Sequence, residues 1–224
     1  MRFAITIPDP NTMQIGKESY VTLASGTEFH RIHPNIFGPA QFNPTPTGNA
    51  RFSPIHDAAG RIIPTIYGAQ SFECAVCEII LRCPDVPPIA AVSGPPPLQI
   101  VNPKDFAQYS HSTVRTTLPL NLLDLTIAGQ RRIGISNNAI LAGPRSTYPV
   151  TRGWAEQIHA CCPTAHGLYY GSYQYGPDYA VVLFGDRLGV GSLTPGTTRA
   201  VGDRACDDGI RILAQSLHID YEDI

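Results

Sequence analysis

A chain of 224 residues, 43% hydrophobic and 15% charged, has the composition of one globular domain with a full hydrophobic core. Its net charge of −2 offers no basic stripe, which excludes nucleic acid as an electrostatically driven partner, and no apolar run reaches the length of a membrane span. The 21 prolines and 20 glycines point to many turns and irregular loops in place of long helices.

Residues 1–28 read as an N-terminal arm or an edge strand: they alternate weakly and contain Pro8, Pro10 and Gly16. The opening apolar run is too short for a secretory leader, so a cytoplasmic setting is expected. Residues 29–32 form a short strand in which Arg31 stands between apolar neighbours. Arginine rarely occupies such a place unless it meets an anion or a carboxylate, the alternative being a surface strand with Arg31 in solvent. His30 and His33 fall on opposite faces of that strand and lack a third ligand, so no metal is expected there. Residues 34–50, with four prolines, are a loop, and Arg51 follows beside Phe52.

The stretch from Gly60 to Leu81 organises the rest. It reads as a strand over 62–67, a Gly-Ala-Gln turn, and a helix whose N-cap is Ser71. Phe72, Ala75, Val76, Ile79 and Ile80 recur at helical spacing and give one apolar stripe. Glu78 sits beside that stripe, where apolar surroundings make a carboxylate costly unless a cation or hydroxyls face it. Tyr67, at the strand's end, is the nearest aromatic to the same spot. The bland alternative pairs Glu78 with Arg82 at i+4 on the helix surface. A turn at 85–88, a strand at 89–92 and a rigid proline connector at 93–97 come next.

Further on, the Ser/Thr-rich residues 110–117 read as a loop, and 118–125 as a buried strand. Residues 133–141 are ambiguous between helix and strand. Residues 152–160 form an amphipathic helix that buries Trp154 and Ile158. A strand over 167–173 runs into a polar turn carrying Ser172. The run over 178–184 is the strongest central-strand signal, and the tyrosines around it read as core and pocket wall. Gly189-Val-Gly191 lacks the third glycine and following helix of a dinucleotide fingerprint. Residues 203–217 close the chain as a helix, with a solvated tail after 219. The six cysteines read as reduced thiols, since Cys74, Cys77 and the adjacent Cys161 and Cys162 lack the ligand spacing of a zinc site.

Taken in order, His30-Arg31, Gly48-Asn-Ala-Arg51-Phe52-Ser53-Pro54, Ile66-Tyr67-Gly68, Glu78 and Tyr170-Gly-Ser172 resemble the motifs of the RES domain, a family named for its Arg, Glu and Ser. The run 167–184 also resembles the family's closing strands, and the likeness spans about residues 29–187. Three positions depart from the family's pattern. His30 stands where an aromatic such as tyrosine is usual, Asn49-Ala50 replace part of a double glycine, and Phe52 replaces a tryptophan.

The resemblance implies an α/β (α+β) fold with a split, bent β-core around a cleft and helices outside, like the ADP-ribosyltransferase toxins. The catalytic domain would be residues 29–224. It further implies a toxin that consumes NAD as substrate, with no other cofactor, and an antitoxin partner with an Xre-like helix-turn-helix part that plugs the cleft. Glu78 would stabilise the oxocarbenium-like state formed when the nicotinamide–ribose bond breaks. Arg31 and Arg51 would grip the diphosphate, Tyr67 would wall in the nicotinamide, and Ser172 would hydrogen-bond ribose or amide, with Phe52 and His30 completing the substrate site. Water as acceptor makes the enzyme a glycohydrolase and inorganic phosphate makes it a phosphorylase. A protein acceptor makes it a mono-ADP-ribosyltransferase. The non-enzyme alternative is an inactive module that binds NAD or the antitoxin.

Overall fold

The computed structural model describes residues 6–83 and 99–222. The turn, strand and connector expected over 85–97 therefore lie outside the described residues.

In chain order the elements are β1 (Tyr20–Leu23), β2 (Glu28–Pro34), β3 (Ile55–His56), β4 (Ile62–Ile63), β5 (Thr65–Ala69), α1 (Phe72–Ile79), β6 (Ile100–Val101), β7 (Tyr109–Thr116), β8 (Leu120–Asp124), α2 (Ile127–Arg132), α3 (Ala139–Ala142), α4 (Tyr148–Cys161), β9 (Gly167–Gly171), β10 (Tyr179–Phe184), β11 (Leu193–Ala200), α5 (Arg204–Ser216) and β12 (Asp220–Tyr221). Eight strands form one sheet in the order β1-β8-β9-β10-β5-β2-β7-β11. Every neighbouring pair is antiparallel except β8 and β9. The sheet is curled into a half-barrel with few helices, so the fold is mixed α/β as expected.

The strand signals follow the two-residue period. Along β10, Ala180, Val182 and Phe184 pack into one apolar cluster with Trp154 and Ile158 of α4, while Val181 and Leu183 enter another on the opposite face with Phe29 and Val114. A third cluster joins α1 to α5 through Val76, Ile80, Ile210 and Ala214. Ser71 caps α1 by accepting from the Cys74 N–H at 3.1 Å. The residues expected to form an arm include β1, which is the sheet's edge strand. The segment before it is tied down by the Trp154 indole N–H, which donates to the Pro8 carbonyl at 2.8 Å.

The decisive irregularity lies between β2 and β5. Only His30 and Ala69 are paired there, after which the strands diverge. Gly68 helps to set that geometry: a Cβ at this position would lie 2.9 Å from the Cβ of Phe29. Pairing stops from Arg31 forward on β2 and from Gly68 backward on β5, and the gap between them becomes a cleft.

Three expectations are corrected. Residues 110–117 are not a loop, because most of them belong to the eight-residue strand β7. Its β-branched residues suit a pleat, and its hydroxyls bond across to β11, Ser112 to Thr198 at 2.9 Å and Thr113 to Thr197 at 3.4 Å. β11 itself escaped the sequence reading because Pro195 and Gly196 argue against a strand; its register shifts between Pro195 and Thr198, and it lies at the sheet edge, where proline is tolerated. Nor is the tail after residue 219 simply solvated, since β12 pairs with β6 in parallel and Tyr221 is buried.

Candidate active site

The cleft between β2 and β5 has a volume of about 260 Å³, near the lower end of small-molecule pockets. Its walls are β2, the loop after it, β5, α1 and the turn following β9. Arg31, Arg51, Tyr67, Glu78 and His30 all line it. Ser172 stands directly behind the carboxylate, with Oγ 2.6 Å from Glu78 Oε1. The structure thus gathers six of the seven expected residues, drawn from four separate parts of the chain.

Phe52 is the correction. It is fully buried, outside the cleft wall, and packs edge-to-face on Tyr170 with ring centroids 5.4 Å apart. Its contribution is through the backbone: the Phe52 N–H donates to Tyr67 Oη at 3.0 Å and fixes that ring along the cleft. Burial pushes the Tyr67 hydroxyl up to about 12, so it stays protonated and can act only as a neutral donor or acceptor.

Glu78 occupies the last turn of α1, on the same side of the helix as Ala75, and both line the cleft. It does not bond to Arg82. The Ser172 hydroxyl accepts from the Tyr175 N–H at 2.9 Å, and its single proton points to Glu78. That arrangement requires an acceptor oxygen on Glu78. The turn bearing Ser172 is held in turn by Asp178, whose carboxylate accepts from Ser71 Oγ and whose carbonyl accepts from the Ser172 N–H at 2.8 Å. The helix cap and the hydroxyl that orients the carboxylate therefore belong to one hydrogen-bonded unit.

Arg31 is 9% exposed. Its Nη1 donates to the carbonyls of Gly38 (3.3 Å) and Pro39, and its Nε has no partner. No carboxylate pairs with it among the described residues, and burial pushes its guanidinium down to about 10. A buried, unneutralised cation with an idle donor is expensive to keep in an empty cleft. Arg51 is held by the carbonyls of Ile140 (2.9 Å) and Gly143 (3.1 Å) and lies over the Tyr148 ring. Arg82, which the sequence reading assigned only to the bland pair with Glu78, is a third arginine of the cleft. Three guanidiniums face one carboxylate, so the cleft is cationic although the chain carries net −2.

The histidines add no charge at neutral pH. His30 Nδ1 lies 3.0 Å from His111 Nε2, with the rings stacked at 5.2 Å and Phe72 edge-on to His111. Burial, and then the nearby His30, Arg199 and His33, push His111 down to about 4 from an ordinary 6.5. Burial also lowers His30 and His33, against the pull of Glu28 and Glu73 on His30. An unfolded chain protonates His111 at about 6.5 and the folded chain only near 4, so the unfolded state binds the extra proton between those values. The melting temperature should therefore fall by several degrees as pH drops from 6.5 towards 4, and His111→Gln should flatten that fall in a pH series of thermal melts.

Burial raises the thiols of Cys74, Cys77, Cys162 and Cys206, which favours inert, protonated sulfur. No helix of the described residues is long and apolar enough to cross a membrane.

A family model described as the RES domain matches residues 28–193. A search of curated proteins found no match. Among solved structures, a chain of the M. tuberculosis MbcT–MbcA toxin–antitoxin complex is similar in fold, with a TM-score of 0.56 at 16% identity, covering 88% of this chain and 93% of that one.

Proposed function

The chain belongs to the RES domain family, and from that premise we propose that it is an NAD-consuming toxin of a toxin–antitoxin pair. The observation that carries the reading is the cleft's charge pattern: three arginines, one of them buried without a counter-ion, around a single carboxylate fixed by a serine. Such a site suits a ligand that is anionic at one end and develops positive charge at the other. NAD undergoing cleavage at ribose C1′ is such a ligand.

In the proposed reaction the C1′–N bond breaks and its electron pair passes to the nicotinamide nitrogen, which leaves neutral. The ribose is left oxocarbenium-like, and Glu78 stabilises that charge. Tyr67 walls the nicotinamide, while Arg31 and Arg51 neutralise the diphosphate. Water then adds to C1′ and loses a proton to give ADP-ribose, or inorganic phosphate adds to give ADP-ribose 1″-phosphate. The cognate antitoxin, with an Xre-like helix-turn-helix part, would block the cleft.

Incubating the purified protein with NAD, with and without inorganic phosphate, and identifying products by mass tests the reading. Nicotinamide release in either condition is the expected result. Its absence in both would move the assignment to protein ADP-ribosylation or to an inactive binder.

A further inference from the structure

Arg51 and Arg82 reach the cleft from different segments, one after the long loop and one just past α1, yet they meet at the same side chain. Arg82 Nη2 donates to the Tyr148 hydroxyl, and its guanidinium carbon lies 5.7 Å from the ring centroid. The Arg51 guanidinium carbon lies 4.9 Å from that centroid. Tyr148 is fully buried at the start of α4, so it is a rigid brace. Arg51 uses only Nη1 on protein carbonyls. A guanidinium carries five N–H groups, so the three on Nε and Nη2 are left without a hydrogen-bond partner among the described residues.

Neither arginine pairs with a carboxylate among the described residues. Glu78 is one helical turn from Arg82, but its bonded oxygen is engaged by Ser172. The two cations also sense each other, the charge of Arg82 making that of Arg51 harder to hold. Arg31 is engaged elsewhere, on the carbonyls of Gly38 and Pro39. Two like charges braced on one aromatic, with open donors on Arg51 and no carboxylate bonded to either among the described residues, leave room for an anion, Glu78 being the one acid whose charge reaches Arg51.

We propose that Arg82, braced with Arg51 on Tyr148, completes a phosphate-group subsite in the cleft, with Arg51 shared between this subsite and the diphosphate grip of the NAD reading. Guanidinium forks match the oxygens of a tetrahedral phosphate and stabilise it by charge-assisted hydrogen bonds. The phosphate is either free inorganic phosphate or one half of a dinucleotide's diphosphate; the second source rests on the NAD reading, whereas the subsite itself does not.

Isothermal titration of the full chain with inorganic phosphate and, separately, with ADP-ribose tests this on wild type, Arg82→Gln and Arg82→Lys. Arg82→Gln should weaken at least one probe by about tenfold or more, and Arg82→Lys should recover part of the loss, because an ammonium keeps the charge and loses the fork. Loss confined to inorganic phosphate assigns the subsite to the free ion; loss of ADP-ribose affinity assigns it to the diphosphate. Wild-type affinity of Arg82→Gln for both probes, or no binding of either by wild type, would overturn the proposal. Should Arg82→Gln fail to fold, Tyr148→Phe removes the hydroxyl brace and keeps the ring, and unchanged binding of both probes there overturns it equally. Phosphate binding that depends on Arg82 in a protein that leaves NAD intact would sink the NAD reading and leave the subsite standing.

Discussion

Replacing Glu78 by glutamine should leave the melting temperature close to that of the wild type and cut nicotinamide release from NAD by about 10²- to 10⁴-fold. The substitution is chosen because the amide oxygen can still accept the Ser172 proton that Glu78 Oε1 now receives at 2.6 Å. The Ser172–Tyr175 and Ser71–Asp178 contacts on the far side of that hydroxyl are then undisturbed. What is lost is the negative charge that the proposed reaction sets against the ribose. Among the described residues the cleft's other charged lining groups are arginines, so none of them supplies a second carboxylate to take over. Parallel measurement of NAD turnover and thermal melting separates the two roles: a variant that keeps its turnover removes Glu78 from the chemistry, and one that loses stability with activity makes Glu78 structural.

How far the chain could be read in advance depended on whether a residue's signal was local. Ser71 as a cap, the helix it opens, and the continuous apolar run over β10 are decided by neighbours a few residues away, and the structure repeats them almost unchanged. Arg31, Tyr67, Glu78 and Ser172 were legible because each is an odd residue type for its local pattern, and the family's motif order ties them together. The failures are non-local. β7 reads as a loop because its Ser and Thr hydroxyls find their partners far along the chain, on Thr197 and Thr198 of β11 and on His33 and Asn35 at β2 and just after it. Phe52 enters the expected site through the family motif, where it stands in place of a tryptophan, whereas the turn that carries it puts its ring in the core and leaves only its N–H to serve Tyr67. Arg82 was hidden for a related reason. Its partner Tyr148 is 66 residues away, and at short range the i+4 spacing to Glu78 suggests a surface pair that the fold does not make.

Arg31→Met should move stability and ligand binding in opposite directions. The native side chain buries a charge with no acid partner and an unbonded Nε, and burial already depresses its guanidinium to about 10. Folding therefore acts against this cation, and a neutral side chain of similar length removes that penalty. Methionine's flexible thioether can fill the space. Against this, the carbonyls of Gly38 and Pro39 lose a donor, at a cost of about 1–3 kcal/mol if water does not replace it. Replacing even a buried ion pair by apolar groups is often neutral or stabilising by about 1–4 kcal/mol, and a buried cation without its acid is costlier still, so the balance favours an unchanged or raised melting temperature. Binding has no such offset. Losing charge-assisted bonds of about 1.5–3 kcal/mol should weaken ADP-ribose by about 10- to 100-fold. The stabilisation that ligand gives the wild type, about 2.7 kcal/mol at a hundredfold excess over Kd, should then drop to about 1.4 kcal/mol for a tenfold loss and about 0.4 kcal/mol for a hundredfold loss at the same concentration. Melts with and without ADP-ribose measure both effects in one experiment. A destabilised Arg31→Met protein that still binds would identify the residue as a strap for the loop after β2, and a stable one that no longer binds would identify it as an anion site whose empty form the fold tolerates at a cost.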